Sequence, residues 1–329
     1  MKRASFIIMA TLLLTSCTGY RLNIDGGIIS PVPVNFPGVN SSFDDYNSDL
    51  RITWSERGFT LIFSTNRNSL GNDFDFISFG GNIFFDLLDG EFKISALQNE
   101  NGLLEQVNTD SNEFGPLFTA DYPYFYTWKS EGTERFFYSS DQEGNLDIWC
   151  CKYLLGNDVF DPLEEPFVLT ALNSGSDDGY LTLHTGGLQG RETVYFMSDR
   201  DGSFDIYQAV SEEGKLISDP SAVTVTRVAA LSSSSSDKCP FICGNTMVFA
   251  SDREGGYGGF DLWYSVWNGQ DWSVPVNMGA HINSEYDEYR PIVVSGEEGR
   301  FLNDLLIFSS NRPGGKGGFD LYYAGVPRR

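Results

Sequence analysis

Two histidines in 329 residues is very little, and neither has the company that histidine chemistry needs. His184 and His281 stand in a chain with no Gly-x-Ser-x-Gly elbow, so serine–histidine nucleophilic catalysis has no support. Bases are scarce too: 22 Lys and Arg face 45 Asp and Glu, leaving a net charge of −23. Like charge repels at the encounter stage, which argues against nucleic acid or an anionic lipid surface as partner. No apolar run is long enough to cross a bilayer, since Phe6 to Leu14 falls well short of a span. The glycine clusters Gly255-Gly256-Tyr257-Gly258-Gly259 and Gly314-Gly315-Lys316-Gly317-Gly318 join strands rather than open helices. They are expected to supply turns with positive φ, not a phosphate cradle. No cofactor is expected.

Cysteine is sparse and badly placed for cross-linking. Cys239 and Cys243 flank Pro240-Phe241-Ile242 in one extended stretch, about 13 Å apart at a strand's rise, too far for a disulfide. Cys150 and Cys151 are adjacent and would close only a strained ring. The two pairs fall in different repeats, which disfavours a four-thiolate metal site, and buried free thiols are expected. The fifth cysteine differs. Met1-Lys2-Arg3, the apolar core Phe6 to Leu14, and Leu14-Thr15-Ser16-Cys17 occur in sequence, and together they resemble a bacterial lipobox. The resemblance implies a signal peptide over 1–16, acylation (palmitate included) at Cys17 and a tether over 17–28. Because Thr18-Gly19-Tyr20 brings no aspartate beside the cysteine, it further implies an outer-membrane anchor facing the periplasm, with the outer surface still open.

What the chain has in abundance is repetition. Five times an apolar run leads into a Ser/Thr-Asn/Asp turn, a softened loop, then an aromatic-Asp or Leu-Asp step. Examples are Phe196-Met-Ser-Asp-Arg200 to Phe204-Asp205-Ile206-Tyr207 and Phe308-Ser-Ser-Asn-Arg312 to Phe319-Asp320-Leu321-Tyr322. The recurring Asp stands at 75, 147, 205, 261 and 320, a unit of roughly sixty residues after one longer first step. With β-branched and aromatic residues alternating, this predicts an all-β, five-bladed propeller of four-stranded antiparallel blades. Blades are expected near 41–110, 111–174, 175–234, 235–281 and 282–329, with outer strands near Phe92, Phe160, Leu216 and after Trp272. The last repeat has only three strands, and Ser30-Pro-Val-Pro-Val-Asn35 repeats the pattern of Ser273-Val-Pro-Val-Asn277. Residues 29–37 are therefore expected to supply the missing outer strand and close the ring, in a single domain over 29–329. The motifs Ser198-Asp199-Arg200, Ser309-Ser310-Asn311-Arg312 and Ile282-Asn283-Ser284 resemble the WD40-like repeat of TolB-type envelope lipoproteins.

Recurrence also filters the candidate residues. Asp75, Asp147, Asp205, Asp261 and Asp320, with Arg67, Arg200, Arg253 and Arg312, recur too regularly for a catalytic set and are expected to satisfy turn backbone. Asp199-Arg-Asp201-Gly202 lacks the length and closing glutamate of a calcium loop, so no metal is expected. Asp45, Glu113, Asp178, Asp237 and Glu288, each near the start of an innermost strand, are the carboxylates a glycoside hydrolase would use. A carboxylate in every blade reads instead as part of the repeat. Tyr122, Tyr124, Tyr126 and Trp128 form a possible contact surface. The resulting expectation is a non-catalytic, lipid-anchored scaffold that docks an envelope protein, such as a transport or secretion component, and is no enzyme. The alternative is a propeller that binds or cleaves carbohydrate, with glycan as the less favoured partner. Cys17→Ser is expected to shift the protein from the membrane to the soluble fraction and to abolish labelling by palmitate.

Overall fold

The computed structural model describes residues 27–53, 57–86, 88, 90–99, 101–120, 133–156, 159–162, 164–184, 191–212, 215–296 and 301–329. Cys17, Tyr122, Tyr124, Tyr126 and Trp128, with the expectations placed on them, lie outside these residues. The strands form five antiparallel sheets arranged as a ring. Blade one is Asp45–Thr53, Gly58–Thr65, Asp75–Asp86 and Glu91–Asn99. Blade two is Glu113–Ala120, Thr133–Ser140, Asp147–Gly156 and Phe167–Val168, and blade three is Asp178–His184, Arg191–Ser198, Asp205–Glu212 and Thr224–Arg227. Blade four is Asp237–Cys243, Thr246–Ser251, Asp261–Val266 and Val276–Asn277. Blade five takes Glu288–Val294, Asp304–Ser310 and Asp320–Val326 from the end of the chain, and Val34–Asn35 from its beginning.

The second strand of each blade shows why the sheets stack. Its successive side chains point to opposite faces, and both faces are covered by a neighbouring blade, so the run is apolar throughout. Val194 and Phe196 enter the core shared with blade two, whereas Tyr195 enters the core shared with blade four. Likewise Leu305 and Ile307 face blade one while Leu306 and Phe308 face blade four. Five interblade cores thus carry most of the packing, and a smaller sixth cluster of Tyr180, Met197 and Cys239 lies where the innermost strands meet.

Ring closure follows from the same pairing. Val34 stands opposite Tyr323 and Asn35 opposite Tyr322. Phe36, fully buried, packs edge-on against Phe59 and Tyr323 across the last joint. Asn40 fastens it: its amide donates to the Leu321 carbonyl at 2.9 Å and accepts the Leu321 N–H at 2.8 Å.

Three details differ from the sequence expectation. Leu216 sits in a short helix, Lys215–Ser218, because Pro220 opens a tight turn and postpones the outer strand to Thr224. Val159–Pro162, which carries Phe160, folds back on the far end of the third strand, while Phe167–Val168 takes the outer position. The long first step holds an extended hairpin and a helix, Gly102–Val107, capped by Asn101, whose Leu103, Leu104 and Val107 fill the core between blades one and two. In the two glycine clusters only Gly255 and Gly314 have positive φ. The others answer to close approach: a Cβ on Gly258 would collide with the Ser284 and Tyr286 carbonyls, and one on Gly317 with the Phe43 carbonyl. Asn40→Ala removes two buried hydrogen bonds at the closing joint. It is expected to cost about 2 kcal/mol in urea-induced unfolding, roughly 1 kcal/mol for each bond.

Candidate functional site

The innermost strands begin at one rim of the ring, and their backbone there has no sheet partner on the side facing the preceding blade. The chain supplies partners across the joint. The N–H groups of Asp45, Glu113, Asp178, Asp237 and Glu288 donate to the carbonyls of Phe319, Phe74, Leu146, Phe204 and Phe260 of the preceding blade, at 2.6–2.8 Å. Each of those five acids is fully buried and also accepts the N–H of the Ser or Thr four residues back. In four blades an arginine completes the joint: Arg67 with Asp45, Arg200 with Asp178, Arg253 with Asp237 and Arg312 with Glu288. Each of these arginines also donates to a carbonyl of the interblade linker, such as Leu172 or Ile282 at 2.6 Å. The five carboxylates therefore sit inside joints, away from any open channel. The Asp of the repeated step plays a neighbouring part: Asp205 holds Arg227, and Asp261 and Asp320 cap their own glycine loops and bind Asn277 and Asn35.

The residues that point to the ring axis are others, which the sequence reading passed over. Every innermost strand shifts register after its second residue, and the third residue is left-handed: Asn47, Gly115, Tyr180, Cys239 and Arg290, with φ between 44° and 58°. At this one level the copies share nothing in side chain. The Tyr180 hydroxyl accepts from the Asn47 amide at 3.0 Å, and its ring lies against the space that a Cβ on Gly115 would take. Arg290 is fully buried over the Tyr180 and Phe241 rings and donates to the Pro116 carbonyl at 3.0 Å. Its Nε and Nη1, like Asn47 Oδ1, have no hydrogen-bond partner among the described residues. Asp49, held by the Phe118 N–H at 2.9 Å, has its carboxyl pushed up by burial against the pull of Arg290. Alignment of the five strands on their acid would have exposed this divergent column.

Above the bulges lies a disc of half-buried rings at the same rim. Tyr46 packs on Phe74, Phe114 and Phe319 at centroid distances of 5.0, 5.8 and 5.6 Å, and Phe260 packs on Tyr289 at 5.5 Å. Lys238 completes the disc, with its ammonium 3.9 Å from the Phe204 centroid and 5.4 Å from that of Phe260. The Phe of four repeated steps thus joins the disc, blade two having Leu146 instead, while the Asp after it serves the joint. His184 is far from this chemistry, enclosed by Tyr195, Trp267 and Trp272, and burial lowers its pKa.

One joint departs from the rest. Blade two has Gln142 where the others have arginine, so among the described residues Glu113 keeps only Thr109 and Ser140 as side-chain hydrogen-bond partners. Burial, aided by Asp75 across the joint, pushes the Glu113 carboxyl from 4.5 up to about 7. Between these two values the folded chain holds a proton that the unfolded chain has released, so stability falls as pH rises from about 4.5 to about 7. Glu113→Gln is expected to flatten that decline in denaturation midpoints measured across the window, and Gln142→Arg to reduce it by restoring the ion pair.

No protein-family model matches the sequence, and no curated protein matches it either. Solved structures do. An endo-arabinase from Bacteroides thetaiotaomicron is similar over 92% of this chain and 98% of its own, at 12% identity and a TM-score of 0.54. A β-fructofuranosidase from Schwanniomyces occidentalis matches 91% of this chain and 59% of its own, at 12% identity and a TM-score of 0.56. The catalytic domain of an α-L-arabinofuranosidase from Coprinopsis cinerea matches 91% and 96%, at 9% identity and a TM-score of 0.50. At such identities the likeness is one of fold. It corrects the resemblance to TolB-type repeats, because the similar rings belong to five-bladed carbohydrate enzymes. The physical reason is that the motif builds the joints of this ring, so its recurrence reports how the blades are held and not what the ring does. The same neighbours, named as carbohydrate-acting enzymes, stand against the expectations of a non-catalytic docking scaffold and of no enzymatic activity.

Proposed function

We propose that this propeller acts on carbohydrate, holding a glycan across the rim where its aromatic disc surrounds the channel mouth. The disc carries the reading. Tyr46, Phe74, Phe114, Phe204, Phe260 and Phe319 gather at the axis and remain half-buried, where a core would bury them fully. Aromatic faces with a few polar groups beside them suit the apolar C–H faces of sugar rings. The enzymes whose folds this chain shares, named for arabinan and fructofuranoside chemistry, support the same class of ligand.

Glycosidic cleavage needs a carboxyl still protonated near neutral pH and a second carboxylate within roughly 5–9.5 Å. Glu113 has the first property, and it lies next to Phe114 of the disc. Asp49 is unsuited as its partner, because it is bound at Phe118, five residues and about 15 Å further along the strand. Asp75 is better placed: it acts on Glu113 across the joint, and burial together with Asp73 raises its own pKa. Since Glu113 is buried beneath Thr109, the 109–111 turn must lift for it to reach a sugar oxygen. Anchorage through Cys17 at the periplasmic side of the outer membrane forms part of the proposal and is carried by the N-terminal sequence alone.

The test is a panel of arabino-, xylo-, fructo- and uronic-acid oligosaccharides, read by calorimetry for binding and by reducing-sugar release for cleavage. Phe260→Ala is expected to weaken binding at least tenfold. Glu113→Gln is expected to stop release while leaving affinity within about twofold. A panel with neither binding nor release overturns the reading.

A further inference from the structure

The mouth holds a charge that the rest of the chain does not explain. In a protein with 45 acidic and 22 basic residues, almost every cation at this rim is committed. Arg67, Arg200, Arg253 and Arg312 hold the joint carboxylates, Arg227 holds Asp205, and Lys316 donates to the Asn40 carbonyl at 3.0 Å. Lys238 is the exception: it forms no ion pair or hydrogen bond among the described residues and lies on the Phe204 and Phe260 rings. Three acids of this rim are engaged in turn hydrogen bonds, though they keep their charge. Asp177 accepts from Leu146, Asp287 from Phe260 and Asp44 from Phe319, each through a backbone N–H.

A second cation stands directly inside. Arg290 is the third residue of the next innermost strand, which packs beside that of Lys238, and two of its guanidinium nitrogens are buried without a partner. Asp49 on the neighbouring innermost strand attracts Arg290 electrostatically but leaves those two nitrogens without a hydrogen bond. Lys238, with no acid partner among the described residues, is the complement of a negatively charged group, and the aromatic disc around it is the complement of a sugar.

Resting on the carbohydrate reading above, we propose that the glycan taken at this mouth carries carboxylate groups, as a uronic-acid oligosaccharide does. Lys238 contacts the carboxylate and Arg290 reinforces the positive potential from below. The joint arginines take no part, being occupied.

The experiment uses the full chain in low-salt buffer, with trigalacturonate as the acidic probe and arabinotriose and 1-kestose as neutral probes, followed by calorimetry. Trigalacturonate is expected to bind at least tenfold tighter than either neutral probe, a preference that weakens as sodium chloride is added. Lys238→Gln, which keeps the stem over the rings, is expected to erase most of that preference by weakening trigalacturonate binding far more than that of either neutral probe. Tighter binding of a neutral probe, or a preference unchanged by Lys238→Gln, overturns the proposal and leaves the carbohydrate reading standing. Absence of binding by all three, with the wider panel also silent, removes both.

Discussion

The joint between consecutive blades is the constraint on which the rest of this ring depends. Where each innermost strand begins, a buried N–H must find an acceptor outside its own sheet, and the carbonyl before the repeated Asp supplies it. That single bond fixes the lateral distance between blades. The acid beneath it then needs donors, which the Ser or Thr four residues earlier and the arginine of the adjacent turn provide. Arginine in turn reaches the linker carbonyl, so one side chain ties strand, turn and linker together. Five copies of this arrangement, four of them with the arginine, make a ring whose apolar cores fill the space between sheets already held in place.

This explains what could be read from the chain. The joint uses contiguous residues in fixed order, so its sequence recurs, and five recurrences gave five blades. The likeness of Ser30–Asn35 to Ser273–Asn277 likewise made the closing strand legible, because an outer strand has the same partner in every blade. The axis was not legible. Strand alternation assigns every second side chain to one face, and a bulge at the third residue breaks that rule where it matters. Phe204 and Phe260 were visible as the residues before a conspicuous Asp, but nothing in that step shows that their rings face the channel mouth. The family resemblance failed for a related reason: the residues that carried it are joint residues, which report how the blades are held and not what the ring acts on.

Function therefore gathers where the repeat lapses. Gln142 leaves Glu113 without the cation its counterparts have, which is a local change with a large effect because the carboxyl is buried. Lys238 lapses in the opposite sense, a cation where the corresponding positions are Tyr46, Phe114, Gly179 and Tyr289. One lapse supplies a proton and the other a positive charge, and both border the same disc of rings.

The left-handed bulges carry a consequence for how this sequence can change. Glycine is the residue that such a backbone favours, and non-glycine residues there cost on the order of 1 kcal/mol each. Only blade two uses glycine, at Gly115; the other blades place asparagine, tyrosine, cysteine and arginine in the same conformation. The chain thus accepts strain at four of five equivalent points, and the packing of the buried Tyr180, Cys239 and Arg290 side chains offsets it. A change to glycine at any of those three would relieve the backbone but open a cavity at the axis, so each is coupled to the side chains it touches.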